Sequence, residues 1–427
     1  MPGLAGRVRK VVASAGGSVV AQFVTALSSL LLQLVAAREL GATGFAAFTF
    51  LSTTLVLITT LHTSWVGDSL TVLDRFESPV RAAIAASLVT SLALGAVASV
   101  ILAIVLRAAA GPGALLFGGL VLLWLLEDTV RRLLSARLEF GRLATNTVVD
   151  FVVAFATLSG FWLAHALSLE TMLVAMCAGS LAGVVHAVIG LPRDELRWPR
   201  LREADLQRIV PFATWRVAQA ALRPLTLMVT RVAIVAMVSS AALAANEGAR
   251  LLLSPALTLV YGVGAFLLPR MVRHRQAGLP LRPRLALTAS IALTAVTAVA
   301  GTIATLLTKP LEPFVTGGNF PLDPITVAAW AAYSVSIAAT LPVSMLATAY
   351  RHSRLVFAVR LGESVIGVGL LLAMLGARPD LVKLAPFCIG IGGVVTSVIL
   401  VMRLRVVRDQ GAALPTERMS RVAQADS

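Results

Sequence analysis

The sequence is poor in charge. Of its 427 residues, 13% are Asp, Glu, Lys or Arg and 58% are hydrophobic, whereas a soluble domain carries roughly twice that charged share. Cysteine is almost absent. Cys177 and Cys388, the two present, both sit inside apolar runs and read as small buried hydrophobes. They offer no disulfide framework and no metal-binding spacing. No glycine-rich loop ending in Lys-Ser/Thr occurs, which excludes an ATP-driven pump made of this chain alone. Large polar loops are missing as well, and with them the paired acids that a membrane glycosyltransferase or polymerase would carry. The chain therefore reads as a non-enzyme without a cofactor.

Apolar windows of about 20 residues recur from end to end, each long enough to cross a bilayer core about 30 Å thick as a helix. Twelve candidate spans cover 17–37, 45–67, 83–106, 114–134, 143–166, 170–191, 211–237, 243–268, 285–307, 325–349, 355–376 and 381–402. The expected fold class is an all-α polytopic membrane protein. The uncharged run 11–37 is too long for the apolar part of a signal peptide, so it reads as the first span. The net charge of +15 is nearly all arginine and clusters in short connections. Orientation and contact with anionic lipid headgroups explain it without nucleic acid. Most basic residues fall in inside loops if the N-terminus is cytoplasmic. The positive-inside rule then places both termini on the cytoplasmic side of a cytoplasmic membrane.

The longest inside connection, 192–210, lies at the chain midpoint. It reads as a linker with an amphipathic helical part on the membrane surface. It divides a six-helix lobe, 1–191, from a second, 211–402, ahead of a polar tail, 403–427. Six helices per lobe give both the same orientation and permit a pseudo-two-fold axis along the membrane normal. "GIGGVV" near Gly390 offers a small-residue packing face.

Between the first two spans stands "QLVAARELGATGFAAFTF", from Gln33. Arg38 and Glu39 make a charged tip, and Gly41 and Gly44 allow a tight turn and close helix approach. The pattern Ala36, Arg38, Leu40, Gly41, Gly44, Phe45 resembles the signature after the first helix of polysaccharide-export flippases, members of the superfamily that includes the multidrug and toxic-compound extrusion (MATE) transporters. "ARLLLSPALTLVYGVGAFLLPRM", with Pro255 and Pro269, is similar to that family's eighth helix. The resemblance implies a flippase for a polyprenyl-pyrophosphate-linked oligosaccharide, a cell-envelope or exopolysaccharide precursor. It also implies a cationic cavity between two lobes that rock to expose it on either side. Glycan-synthesis enzymes would be possible partners.

The seventh span reads "PFATWRVAQAALRPLTLMVTRVAIVAMV" and holds Arg216, Arg223 and Arg231. At 100° per residue the three fall within an arc of about 80°. An arginine at mid-bilayer costs about 2.5–3.5 kcal/mol on insertion scales, so this face should look into water or ligand, or pair with acids on other helices. Arginine's planar fork suits phosphate, which makes Arg223, Arg216 and Arg231 candidate substrate contacts. Pro224 should kink the helix. Among the acids, Asp150, near Asn146, and Asp68 are candidate ion-coupling carboxylates. Glu127 and Asp128 stand four residues before Arg131 and Arg132, the spacing of helix-face ion pairs. Arg360 and Glu363 invite the same reading. His62, His165 and His186 are scattered singly and read as packed residues. Two alternatives stay open: a MATE-like antiporter for lipophilic cations, which needs an acidic cavity, and a non-transporting scaffold for an envelope-synthesis complex.

Overall fold

In a computed structural model, residues 4–196, 199–276, 283–349 and 353–393, with 396, 399 and 402, are described. The tail 403–427 lies outside them. The described chain is helical throughout and has no strand. Its helices are α1 (Leu4–Glu39), α2 (Gly41–His62), α3 (Asp68–Val72), α4 (Ser78–Val105), α5 (Pro112–Ala136), α6 (Phe140–Leu163) and α7 (Leu169–Gly190). Then come α8 (Arg193–Leu196), α9 (Val210–Met237), α10 (Ser240–Gln276), α11 (Pro283–Leu306), α12 (Thr308–Thr316), α13 (Pro324–Ala349) and α14 (Ser353–Ala377). A last helical stretch covers 385–393. Among the described residues ten helices are long and apolar enough to cross a membrane. The two other expected spans are α10, whose apolar run carries Glu247 and Arg250, and the stretch from 385, whose continuation is only partly described. The protein is an all-α polytopic membrane protein.

The chain forms two compact units. The first comprises Met1–Leu251 with Pro310–Leu322, and the second Leu252–Lys309 with Asp323–Ser427. The helix α9 and the segment 192–210 both belong to the first.

Within the first unit the α1–α2 turn is as tight as its glycines suggested. Gly41 sits at φ +66°, in the left-handed region that favours glycine. A Cβ at Gly44 would stand 2.8 Å from the Leu40 Cβ. The tip is held by a segment from far along the chain. Arg38 Nη1 donates to the Phe314 carbonyl at 2.9 Å and its guanidinium lies over the Phe314 ring. Asn319 Nδ2 donates to the Arg38 carbonyl at 2.5 Å, and Phe45 stacks on Phe320 with centroids 5.7 Å apart. Arg38 thus spends its charge on a carbonyl and an aromatic face, both favourable uses for a half-wet guanidinium.

At the other end of the unit, α2 passes into a π-helical turn, Thr63–Gly67, in which the Asp68 N–H reaches back to the Thr63 carbonyl. Gly67 lets the turn approach α5, since a Cβ there would lie 3.1 Å from the Arg132 Cγ. Val66, Leu70, Val80, Ala83, Ile84, Ile209 and Ala213 close a core beside it.

In the linker 192–210, among the described residues, the helical part is short. Pro192 and Pro199 interrupt it, and what remains is the four-residue α8 and two single 3-10 turns, Leu201–Glu203 and Leu206–Arg208. Its polar groups bond to neighbouring loops. Glu195 accepts from Arg137 at 3.0 Å and pairs with Arg75 at 3.5 Å. Glu203 accepts from Ser78 at 2.6 Å, and Arg208 pairs with Glu77 at 2.5 Å. Glu139 holds Arg137 at 2.8 Å and Arg142 at 2.9 Å, and Arg142 donates to the Gly190 carbonyl at 2.6 Å.

In the second unit three helices meet at glycines. A Cβ at Gly390 would lie 2.9 Å from the Tyr333 Cα of α13, and one at Gly367 of α14 would lie 3.0 Å from the Ile389 Cα. Hydroxyls of α13 fix the contact: Ser336 donates to the Gly390 carbonyl at 2.7 Å and Thr340 to the Gly393 carbonyl at 3.0 Å. Glu363 accepts from Thr396 at 3.1 Å. The glycine stretch is therefore a packing face inside this unit.

Two predictions follow from these contacts. Gly390→Ala should destabilise the detergent-purified protein by about 1–3 kcal/mol through overpacking, read as a lower thermal midpoint. Gly369→Ala, which meets open space, should leave the midpoint unchanged. The second concerns acid. Hydrogen bonds from Arg137, then Arg142, hold the Glu139 carboxyl below its ordinary value of 4.5. A lowered folded-state pKa gives stability that is present above the ordinary value and lost as pH falls through the folded one. Hydrogen exchange in 190–209, corrected for its intrinsic pH dependence, should rise on acidification below 4.5, and Glu139→Gln should show the fast exchange already at pH 7.

Candidate functional site: a polar cavity in the first unit

The first unit contains a half-open cavity of about 380 Å³. One wall is hydroxyl-rich, because α1 turns Thr25, Ser28, Ser29 and Gln33 inward and α2 adds Thr49, Ser52 and Thr53. Small β-hydroxyl residues suit such a wall. Thr25 and Thr53 give their protons to the carbonyls of Ala21 and Thr49, four residues back, and their oxygens accept from Arg131 and Arg231. Trp124, Leu32, Phe48 and Met176 supply apolar surface. The charges on the wall are Arg131 of α5, Asp150 of α6, Arg231 of α9 and Arg250 of α10.

Two of these arginines share one acid. Arg231 makes a fork to Glu247, Nε to Oε1 at 2.7 Å and Nη2 to Oε2 at 2.9 Å, and its Nη1 bonds Thr53. Arg250 Nε reaches Glu247 Oε2 at 2.6 Å and its Nη2 bonds Gln33. Glu247 is buried and stands behind the arginines, away from the cavity wall. The cluster ties α1, α2, α9 and α10 together. On the opposite side Arg131 lies 3.9 Å from buried Glu127 and donates to Thr25 at 3.0 Å. Here α7 comes close through its glycines. A Cβ at Gly179 would lie 2.6 Å from the Asp150 Oδ1, and one at Gly183 would lie 2.9 Å from the Glu127 Oε1. Buried Glu127 and Ser180 stand beside each other here, and the buried Asn146 Nδ2 has no hydrogen-bond partner. The formal charges of Arg131, Arg231 and Arg250 balance those of Glu127, Asp150 and Glu247. The wall itself, however, shows three guanidiniums and one carboxylate.

The predicted residues fall in different places. Of the arginine ladder, Arg231 reaches the cavity. Arg216 pairs with Asp68 at 2.6 Å near the start of α9, so those two candidates are partners of each other. Arg223 is half-buried; its neighbour Pro224 lines the cavity, and Arg223 itself does not. The angular argument put the three on one side, but fifteen residues of helix span about 22 Å, more than one cavity covers. Asp150 is on the wall. The expected helix-face pairs are formed, Glu127–Arg131 and Asp128–Arg132 at 3.9 and 3.6 Å. His186 Nδ1 lies 3.4 Å from Asn146 Oδ1. Sequence reasoning missed Glu247, Arg250 and Gln33. The signal was present in "ANEGARLLL", where an acid and an arginine three residues apart interrupt an otherwise apolar span.

No family model and no curated protein matches the sequence. Solved structures do match over nearly the whole chain. An inward-facing multidrug resistance MATE family transporter of the MOP superfamily superposes with a TM-score of 0.67 at 13% identity, covering 90% of this chain and 95% of that one. The lipid II flippase MurJ in an inward closed conformation gives 0.70 at 10% identity, covering 90% and 87%. An outward-facing MATE family transporter gives 0.60 at 12% identity, covering 94% and 96%. The chain has the fold that these proteins share, as the resemblance around Arg38 and Gly41 implied.

Removing the shared acid should be severe. Glu247→Gln leaves two desolvated guanidiniums without their counter-ion and should cost about 3–5 kcal/mol, measured as a loss of thermal stability. Asp68→Asn breaks the more exposed Arg216 pair and should cost about 1 kcal/mol or less.

Proposed function

We propose that the protein is a transporter that moves a polyprenyl-pyrophosphate-linked oligosaccharide across the cytoplasmic membrane, with both termini on the cytoplasmic side. The observation that carries this reading is the cavity wall: Arg131, Arg231 and Arg250 face the same space as a ring of hydroxyls. Guanidinium forks suit a diphosphate, hydroxyls and Gln33 suit sugars, and the lipid tail stays in the bilayer. Arg231 and Arg250 are already oriented by Glu247, so a ligand finds preorganised donors rather than floppy ones. Arg223 and Arg216 would meet the ligand outside this cavity, along α9. Anionic lipids and glycan-synthesis enzymes are the partners this role calls for. The shared fold with a lipid II flippase and with MATE transporters supports a carrier and leaves the cargo open.

Asp150 favours a second reading, a MATE-like antiporter of lipophilic cations. Among the described residues it is the one carboxylate on the wall, beside the unmet amide of Asn146. In the first reading the same group would couple transport to an ion gradient.

Thermal unfolding of the purified protein with added ligands separates the two. A ligand at 100 times its Kd stabilises the state it binds by about 2.7 kcal/mol. A polyprenyl-pyrophosphate lipid should raise the midpoint of the wild type, and Arg131→Gln, which also lowers the unliganded midpoint by leaving buried Glu127 without its partner, should abolish the rise. Stabilisation by lipophilic cations alone, lost in Asp150→Asn, would replace this reading with the antiporter.

A further inference from the structure

The chain between α11 and α13 changes unit twice. Lys309 and Asp323 belong to the second unit, whereas 310–322 belongs to the first. Its anchors there are side chains on three helices. Phe320 and Leu322 are buried over Gly248 of α10, where a Cβ would stand 2.8 Å from the Phe320 ring and 2.9 Å from Leu322 Cδ2. Phe320 also stacks on Phe45 of α2. At α1, Gly317 takes φ +61° and lies so close that a Cβ would stand 3.2 Å from the Arg38 carbonyl oxygen. Asn319 Nδ2 donates to the carbonyls of Arg38 and Ala37 at 2.5 and 3.5 Å, in the last turn of α1, where helix carbonyls lack partners of their own. On each helix the touched residue lies beyond those that line the cavity, on the side of the α1–α2 turn. Arg38 stands five residues after Gln33, Phe45 three before Phe48, and Gly248 two before Arg250, which is about 3 to 8 Å along the helix axes. The segment therefore covers that end of the cavity.

We propose that 310–322 is a lid on the cavity, which lifts as one piece to open the end at the α1–α2 turn. The segment is bonded within itself. Thr316 Oγ1 donates to the Glu312 carbonyl at 3.0 Å, the Gly317 N–H to the Pro313 carbonyl at 3.0 Å, and the Asn319 N–H to the Thr316 carbonyl at 3.1 Å. Among the described residues no backbone hydrogen bond joins it to α1, α2 or α10, so lifting it breaks no helix ladder. The groups it uncovers, the Arg38 guanidinium and the last carbonyls of α1, are ones that water serves readily. Its ends have little slack. Leu307 alone stands between α11 and α12, and Asp323 alone between the segment and α13. Asp323 Oδ1 accepts from the Ile325 N–H at 2.8 Å, which fixes it to the start of α13. A displacement of α11 or α13 is therefore passed directly to the lid. Gly248, on which Phe320 rests, is next to Glu247, the acid that orients Arg231 and Arg250. The lid thus lies against the basic wall it closes, whatever the cavity carries.

Thiol accessibility tests the lid. The full chain with Cys177→Ser and Cys388→Ser is placed in sealed membrane vesicles. A membrane-impermeant maleimide is applied to the face from which Pro313→Cys, at an exposed position of α12, is labelled. From that face Ser52→Cys, on the cavity wall, should react slowly. Adding Phe320→Ala and Asn319→Ala should speed the reaction about tenfold, the effect of losing an aromatic stack and a hydrogen bond. An unchanged rate overturns the proposal. Should the loosened variant not fold, Arg38→Cys with Gly317→Cys locks the lid instead, because the two Cβ positions lie 3.6 Å apart, within disulfide reach. Oxidation must slow the labelling of Ser52→Cys and reduction must restore it. Equal rates in the two states overturn the proposal equally.

Discussion

A guanidinium inside an apolar bundle must meet a counter-charge or water, and the first unit is organised around that demand. Arg231 and Arg250 converge on Glu247 from two helices and take Thr53 and Gln33 as further partners. Four helices are thereby fixed in register by one acid. The desolvation of three charges is costly in such a setting, and a well-packed apolar cluster would hold the helices at least as firmly. What an apolar cluster would not provide is a pair of oriented donors at the edge of a cavity. Such donors are what the proposed ligand recognition calls for, and stability alone does not.

The remaining architecture follows from devices that let helices approach or bend. Gly41 turns the chain in a single left-handed residue, and Gly179 and Gly183 bring α7 against two carboxylates that a Cβ would displace. Pro224 opens the hydrogen-bond ladder of α9 beside the cavity, which is tolerated in a membrane where polar neighbours or water replace the lost bond. The π-helical turn after His62 rotates the end of α2 so that Val66 and Leu70 face the core shared with Ile209 and Ala213. At the same end, the linker is anchored by the buried Ile209 and, ahead of it, by ion pairs, and the ion pairs make that part sensitive to acid where the core is not.

Much of this was legible in the sequence. The class, the spans and the glycine turn at Arg38 rest on hydropathy and backbone sterics, which act locally. The pairs Glu127–Arg131 and Asp128–Arg132 were legible for the same reason, being neighbours on one helix. The partners of Arg231, Arg216 and Arg38 were not, because each comes from an element remote in sequence: Glu247 from the next helix, Asp68 from the end of the second span, and Phe314 and Asn319 from beyond the eleventh helix. A helical wheel gives the angle of Arg223 beside Arg231 but says nothing about which height along α9 opens on a cavity. In the linker the helical part is short, α8 and two 3-10 turns, and its charges pair with residues of distant elements, which no local pattern reveals.

The central claim is that the basic cavity recognises the diphosphate of a lipid-linked glycan and carries it across the bilayer. The most direct measurement is translocation of a fluorescent polyprenyl-pyrophosphate oligosaccharide in proteoliposomes, followed by quenching from outside. The account predicts transfer well above that of protein-free vesicles, lost in Arg131→Gln and retained in Asp68→Asn. Transfer equal to that of empty vesicles, with lipophilic cations moved by the same preparation, would contradict it.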